Sequence, residues 1–242
     1  MNLARKLLAA AGGPTRPQYV GSRIEDWPGS VSTNFLDLTG LTGGIGSAPI
    51  EGDLVIVFVA YATNSVDLNI TCSGGFTEVA DLYQADTNAA NLGVFYKIMT
   101  ATPDTSVDVG GVTSDATQAV AAGSIVFRGV DQVTPLDVAS VTAVGASSYR
   151  ADPPSITPVT PGAVIVVAGC NAVSDTEANS IFTASQLNDF RVQFQDDTYD
   201  ATLGYGRYNW VSGAFNPSAF STVATAATGS WCAVTMAIRP AS

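Results

Sequence analysis

The feature that most constrains this chain is a spacing. "GDLVIVFVA" (52–60) parallels "GAVIVVAGC" (162–170) at an offset of 110. "NLGVFYK" (91–97) parallels "TLGYGRY" (202–208), and "SIVFRG" (124–129) parallels "TMAIRP" (235–240), both at an offset of 111. Three segments at nearly one spacing predict an internal repeat, about 52–130 and 162–240. The repeated segments are rich in Val, Ile, Phe and Tyr, the residues that suit a pleated, packed surface. The longest apolar runs, "LVIVFVAYA" (54–62) and "AVIVVAGC" (163–170), are strand-length and fall well short of the roughly 20 residues a membrane helix needs.

The rest of the chain agrees with strands and turns. "QYVGSRI" (18–24), "NLGVFYKIMT" (91–100), "AVAAGSIVFRGV" (119–130), "ATLGYGRYNWV" (201–211) and "SWCAVTMAIRP" (230–240) read as further strands. The last alternates cleanly, with Cys232, Val234, Met236 and Ile238 on one face and Ala233, Thr235, Ala237 and Arg239 on the other. Turn-forming clusters such as "SGG" (73–75), "TPDTS" (102–106) and "DPPS" (152–155) separate them. The expected fold is therefore all-β, a jelly-roll-like β-sandwich with a short N-terminal helix and an extended arm. The repeat units are either two small domains or two matching halves of one sandwich. The second is preferred, as residues 18–242 forming one domain, because the "DPPSITPVTPG" joint (152–162) is short and each half holds few strands for a core of its own.

Composition narrows the chemistry. The 242 residues are 46% hydrophobic and 13% charged, enough to fill a core. There is no histidine, which removes the commonest general base and the Ser-His-Asp and Cys-His mechanisms. Cys72, Cys170 and Cys232 are odd in number and have no metal-ligand spacing, so they read as free thiols, the latter two buried. "GLTGGIGS" (40–47) lacks the Lys-Ser/Thr of a P-loop and reads as a turn. Carboxylates cluster at Asp81/Asp86, Asp175/Glu177 and Asp196/Asp197/Asp200. None has EF-hand spacing or a matched acid/base pair, so they read as solvated loop acids, with Ca²⁺ as the competing reading. No catalytic residue, metal or cofactor is expected, and the chain is not read as an enzyme.

One aromatic stretch invites a ligand. In "YGRYNW" (205–210), alternation puts Tyr205, Arg207 and Asn209 on one face and Gly206, Tyr208 and Trp210 on the other. Tyr208 and Trp210 read as core, leaving Tyr205 and Arg207 as candidates for a sugar-stacking or protein-binding surface. Trp27 and Trp231 read as core or interface anchors.

Charge is uneven. Residues 1–24 carry +4, from Arg5, Lys6, Arg16 and Arg23, and the remainder carries −15. So acidic a body repels phosphate backbones, which argues against nucleic acid. In "MNLARKLLAAAGGPTR" the apolar run Leu7–Ala11 is too short for a secretory h-region, and Gly12, Gly13 and Pro14 end the helix. Leu3, Leu7 and Ala11 fall on one helical face, widened by Leu8. A free helix this short is marginal in water. Leu3, Arg5, Lys6, Leu7, Leu8 and Arg16 are therefore expected to form an assembly interface, with the Gly/Pro linker reaching about 20 Å to a neighbouring chain.

Taken together, the opening "MNLARKLLAAAGGPTRPQYVGS", the strand entry "APIEGDLVIVFVAYA", and the run from "SIVFRGVDQVTPLDVAS" through "DPPSITPVTPGAVIVVAGC" to "GSWCAVTMAIRP" resemble tail-associated and head-surface structural proteins of bacteriophages. The resemblance covers most of the chain, and its motifs are structural. It implies a virion protein, a capsid decoration or tail/neck component made in the host cytoplasm without a signal peptide. It also implies other virion proteins as partners and a homo-oligomer, a trimer being the expected order. Fibre-type members carry further repeats that this chain lacks, which favours a compact decoration or adaptor. It implies no catalytic residues. A carbohydrate-binding sandwich module, contacting a host-surface glycan, is the alternative; no membrane partner is expected.

Overall fold

A computed structural model describes residues 15–28, 34–110, 119–146, 148–174, 182–195, 199–222 and 229–242. The expected N-terminal helix, with Leu3, Arg5, Lys6, Leu7 and Leu8, lies outside these, as do Asp175, Glu177, Asp196 and Asp197. Every regular element among the described residues is a strand: β1 (Gln18–Pro28), β2 (Asn34–Asp37), β3 (Leu54–Thr63), β4 (Thr71–Cys72), β5 (Thr77–Gln84), β6 (Ala89–Ile98), β7 (Ser106–Gly110) and β8 (Ala119–Arg128). There follow β9 (Val141–Gly145), β10 (Val164–Ser174), β11 (Phe182–Thr183), β12 (Asn188–Gln195), β13 (Tyr199–Asn209), β14 (Ser221–Thr222) and β15 (Ser230–Ile238).

Two five-stranded antiparallel sheets form the body, in the orders β1-β8-β3-β6-β5 and β9-β15-β10-β13-β12. These are the same order. The offset seen in the sequence carries β3 onto β10, β6 onto β13 and β8 onto β15, and by position β1 corresponds to β9 and β5 to β12. The smaller sheets repeat as well. β2-β7-β4 covers the outer face of the first large sheet, and the β11–β14 pair with the isolated Ile156–Phe215 bridge occupies the matching place in the second half.

Three apolar clusters fill the layers. The central one lies between the large sheets and takes residues from both halves: Leu54, Ile56, Phe58 and Leu92 from one, Val164, Val166, Leu203 and Met236 from the other. Each half also has an outer core. Val55, Val57, Val59 and Tyr61 turn outward from β3 onto Leu36, Val107 and Val109. Ile165, Val167 and Ala233 turn outward from β10 and β15 with Trp210 and Trp231. This is why β3 is buried along all ten residues and reads as an unbroken apolar run instead of an alternating one.

The packing across the centre follows a pseudo-two-fold rule. β1 lies against β12 at one seam, and their counterparts β9 and β5 lie against each other at the other. A surface that packs on its own copy in this way is isologous, the geometry of a symmetric dimer joined into one chain.

At one end of the sandwich two buried carboxylates anchor the strand ends. Arg128, closing β8, gives Asp53 two hydrogen bonds of 2.8 Å, and Ile50 N–H adds a third at 2.9 Å. Arg239 is Arg128's counterpart in the repeat. It meets Asp137 at 3.3 Å, while Val159 and Thr160 N–H bond the other oxygen at 2.6 and 3.0 Å. Burial pushes the Asp137 carboxyl up, but the bonds from Thr160, Val159 and Arg239 outweigh it and hold the group below its usual range.

Candidate functional site

The seam between β1 and β12 is where polar side chains of the two halves meet. On β1 a bulge at Val20 shifts the register between Tyr19 and Gly21. It lets the loop 38–46 lie along the strand, with Ser22 and Thr42 exchanging backbone hydrogen bonds of 3.1 and 3.0 Å. The glycines of "GLTGGIG" are needed for this approach. A Cβ on Gly44 would lie 2.3 Å from the Val20 carbonyl oxygen. The Gly-rich stretch expected to be a turn is thus a cover strapped to β1.

Tyr205 and Arg207, the candidates for a ligand surface, take other roles. Tyr205 is fully buried. Its ring stacks on Phe58 with centroids 4.9 Å apart. Its hydroxyl donates to the Arg23 carbonyl at 2.6 Å, with the Ser124 carbonyl at 3.2 Å. Gly123 makes the space, since a Cβ there would sit 2.5 Å from the ring. Burial holds this hydroxyl protonated, well above the usual tyrosine range. The alternation was read correctly, but the face carrying Tyr205 is the face turned to the other sheet. Arg207 continues that face to the seam. Its guanidinium lies 5.0 Å from the centre of the Tyr19 ring and pairs with Asp189 at 2.6 Å. Tyr208 and Trp210 sit in or against the outer core, Tyr208 stacked on Phe215 with centroids 4.1 Å apart.

Arg191, on β12, carries the cross-seam contact. Its Nε donates to the Ser22 hydroxyl at 3.1 Å, and its Nη2 to the carbonyl and hydroxyl oxygens of Thr42, each at 3.0 Å. Tyr19 shares its hydroxyl with the same Ser22 oxygen. Arg191, Arg23, Ile24, Gly40, Ser22 and Thr42 line an open cleft of about 210 Å³. Arg23 is neutralised by Glu25 and, at 3.7 Å, by Asp37. Arg191 forms no ion pair with a described residue. Thr42 and Arg191 carried no motif in the sequence. Arg191 differs from its repeat position, where Ala80 stands, and that difference was the available signal.

The other candidate positions resolve simply. Arg16 donates to the Trp210 carbonyl of its own chain at 2.7 Å. Asp81 accepts from Ile70 N–H at 3.3 Å, and Asp86 from Thr87 N–H at 2.7 Å. Cys170 and Cys232 are buried, unbridged and directly opposite each other on β10 and β15. No protein-family model, curated protein or solved structure matches this chain.

Proposed function

We propose that the chain is a structural component of a bacteriophage particle, a capsid decoration or tail/neck protein attached through its N-terminal segment, and that each half is a jelly roll. The observation that carries the reading is the repeated strand order. In the first half the sheets run β1-β8-β3-β6-β5 and β2-β7-β4, with β5 paired to β6 and not, as in a regular jelly roll, to β4. That places the first strand beside the last and the second beside the seventh, the arrangement of an eight-stranded jelly roll of the kind built into viral capsids and lectins. Fold alone does not select among such roles. The basic, Leu-rich opening on an acidic body supplies the second support, a segment suited to docking on another chain. Deleting residues 1–13 tests this. On the proposal, light scattering of the full chain gives a homo-oligomer, expected to be a trimer. The truncated chain keeps its β spectrum but runs as a monomer and no longer joins a particle. A truncated chain that assembles normally refutes the anchor.

A second reading, contact with a host-surface glycan, is favoured by the polar cleft at the β1–β12 seam, which opposes guanidinium groups and hydroxyls at the junction of the two halves. A glycan panel against the immobilised full chain tests it.

A further inference from the structure

We propose that the β1–β12 seam cleft holds one carboxylate-bearing sugar unit, with Arg191 receiving the carboxylate. The inference rests on the glycan reading above and gives it a ligand class and a site. The pairing of the cations is its first support. Arg23, the other guanidinium, is held by Glu25 and Asp37, so the guanidinium with no carboxylate partner among the described residues is Arg191. Its Nε and Nη2 are fixed on Ser22 and Thr42, which sets the plane of the guanidinium. Its Nη1 has no partner among the described residues, so a donor in a fixed orientation is left for an anion.

Size and surroundings give the rest of the ligand. About 210 Å³ is more than a bare small anion fills, and less than the roughly 300–1,000 Å³ of sites for drug-sized ligands. Ser22 is buried and its hydroxyl is taken by Tyr19 and Arg191, so the hydroxyl open to a ligand is that of exposed Thr42, which can donate and accept toward a ring bearing hydroxyls. The loop wall is made to fit closely around these groups. A Cβ on Gly43 would fall 2.5 Å from Arg191 Nη2, and one on Gly40 2.8 Å from Arg23 Nη1.

The repeat supplies an independent support. If Arg191 and its neighbours served only to join the halves, the pseudo-equivalent seam between β5 and β9 would need the same device. There Ala80 stands for Arg191, Tyr96 for Arg207 and Val94 for Tyr205. One seam closes without this set of polar groups, so joining the halves does not by itself require them.

The test is titration calorimetry on the full chain with methyl β-glucuronide, methyl β-galacturonide, their neutral glucoside and galactoside counterparts, and inorganic phosphate. A unit of this size binds with a dissociation constant of about 1 mM at ordinary ligand efficiency. The expected result is that one uronide binds in that range, and that its neutral counterpart and phosphate bind at least about tenfold more weakly, the loss of one charge-assisted contact. Arg191→Gln should remove the difference between uronide and neutral sugar while leaving the β spectrum intact. The acid-to-neutral comparison uses the unaltered protein, so it stands even if the variant folds poorly. Equal binding of acidic and neutral sugars overturns the carboxylate assignment and leaves the glycan reading in place. Phosphate binding as tightly as the uronides overturns the sugar. A folded Arg191→Gln protein that keeps the preference overturns the site. No binding of any sugar at about ten times the expected constant overturns both the inference and the glycan reading.

Discussion

Tyr205 offers the sharpest test of how the two halves are joined, because a surface role and a core role predict opposite outcomes for the same substitution. Its hydroxyl donates across the central core to the Arg23 carbonyl at 2.6 Å. Replacing Tyr205 by Phe deletes that bond and leaves the ring on Phe58, while the Arg23 carbonyl stays opposite Ser124 in the β1–β8 ladder. The loss of one buried hydrogen bond costs about 0.5–1.5 kcal/mol. For a chain of this size that lowers the midpoint temperature by roughly 2–4 °C per kcal/mol. Gly123 is tied to the same ring. A methyl group there would meet Tyr205 carbon at 2.5 Å, so Gly123→Ala overpacks the core at a cost of about 1–3 kcal/mol. Combining it with Tyr205→Leu, which withdraws the ring edge, should recover part of that cost as a coupling of about 0.5–3 kcal/mol in a double-mutant cycle. Urea unfolding with unchanged slope is the assay. A surface tyrosine would change stability by under about 0.5 kcal/mol. Tyr205→Phe within that bound, together with additive behaviour of Gly123→Ala, would refute the buried cross-sheet placement.

The buried ion pairs should differ in their sensitivity. Arg128→Met leaves Asp53 with one backbone donor, Ile50, and should cost about 3–5 kcal/mol, whereas Arg239→Met leaves Asp137 with two, Val159 and Thr160, and should cost less; equal losses in urea melts would contradict this. Asp137 titrates below its unfolded value, so it contributes stability above about pH 4 that is lost as pH falls through the folded pKa. Asp137→Asn should therefore flatten the acid limb of a stability–pH curve. Asp81 has the opposite sign. Partial burial, with Glu78 and Asp67 adding to it against the Ile70 bond, lifts it to about 6. Folding then favours its protonated form, and its contribution falls as pH rises from about 4 to 6; Asp81→Asn should remove that slope, and a slope unchanged in the variant would show the effect lies elsewhere.

The long strands were legible because burial on both faces leaves a composition that nothing else explains. β3, β10 and β15 fall within a residue or two of the "DLVIVFVAYA", "GAVIVVAGC" and "SWCAVTMAIRP" runs at one end or both. The short outer strands were not legible. β2 has four residues and β4, β11 and β14 two each, too few for a period to register, and their pairing is set by what they cover. β5 and β12 are edge strands, and among the described residues they are mostly half-exposed, so their mixed composition gave no clear alternation. The offset of 111 located equivalent strands but not which face met which. Tyr205 and Arg207 were rightly grouped by alternation. Which side was solvent depends on a sheet supplied by the other half, more than 70 residues away along the chain at Ser124 and further at Arg23.

Because the chain contains its own comparison, the demands of the fold can be separated from those of a site. What both halves keep is what the architecture requires. Gly52 and Gly162 each turn the chain into the central strand with φ of 80° and 86°, a conformation that a residue with a Cβ adopts at a cost. Arg128 and Arg239 each end the strand beside it over a buried carboxylate. The carboxylates come from different places, Asp53 at the head of β3 and Asp137 in the loop after β8. The position of the cation is thus fixed by the strand end, and the anion has been recruited from whichever segment lies above it. What one half has and the other lacks is under a different demand. Arg191, Arg207, Tyr205 and Tyr19 all gather at a single seam, and at the equivalent seam Ala80, Tyr96 and Val94 stand in the positions of the first three. A core tyrosine that reaches across to the β1 backbone, a cation seated on an aromatic ring, and a second cation without a carboxylate among the described residues form one connected arrangement. Its members hold one another in place, and Arg191 lines the cleft.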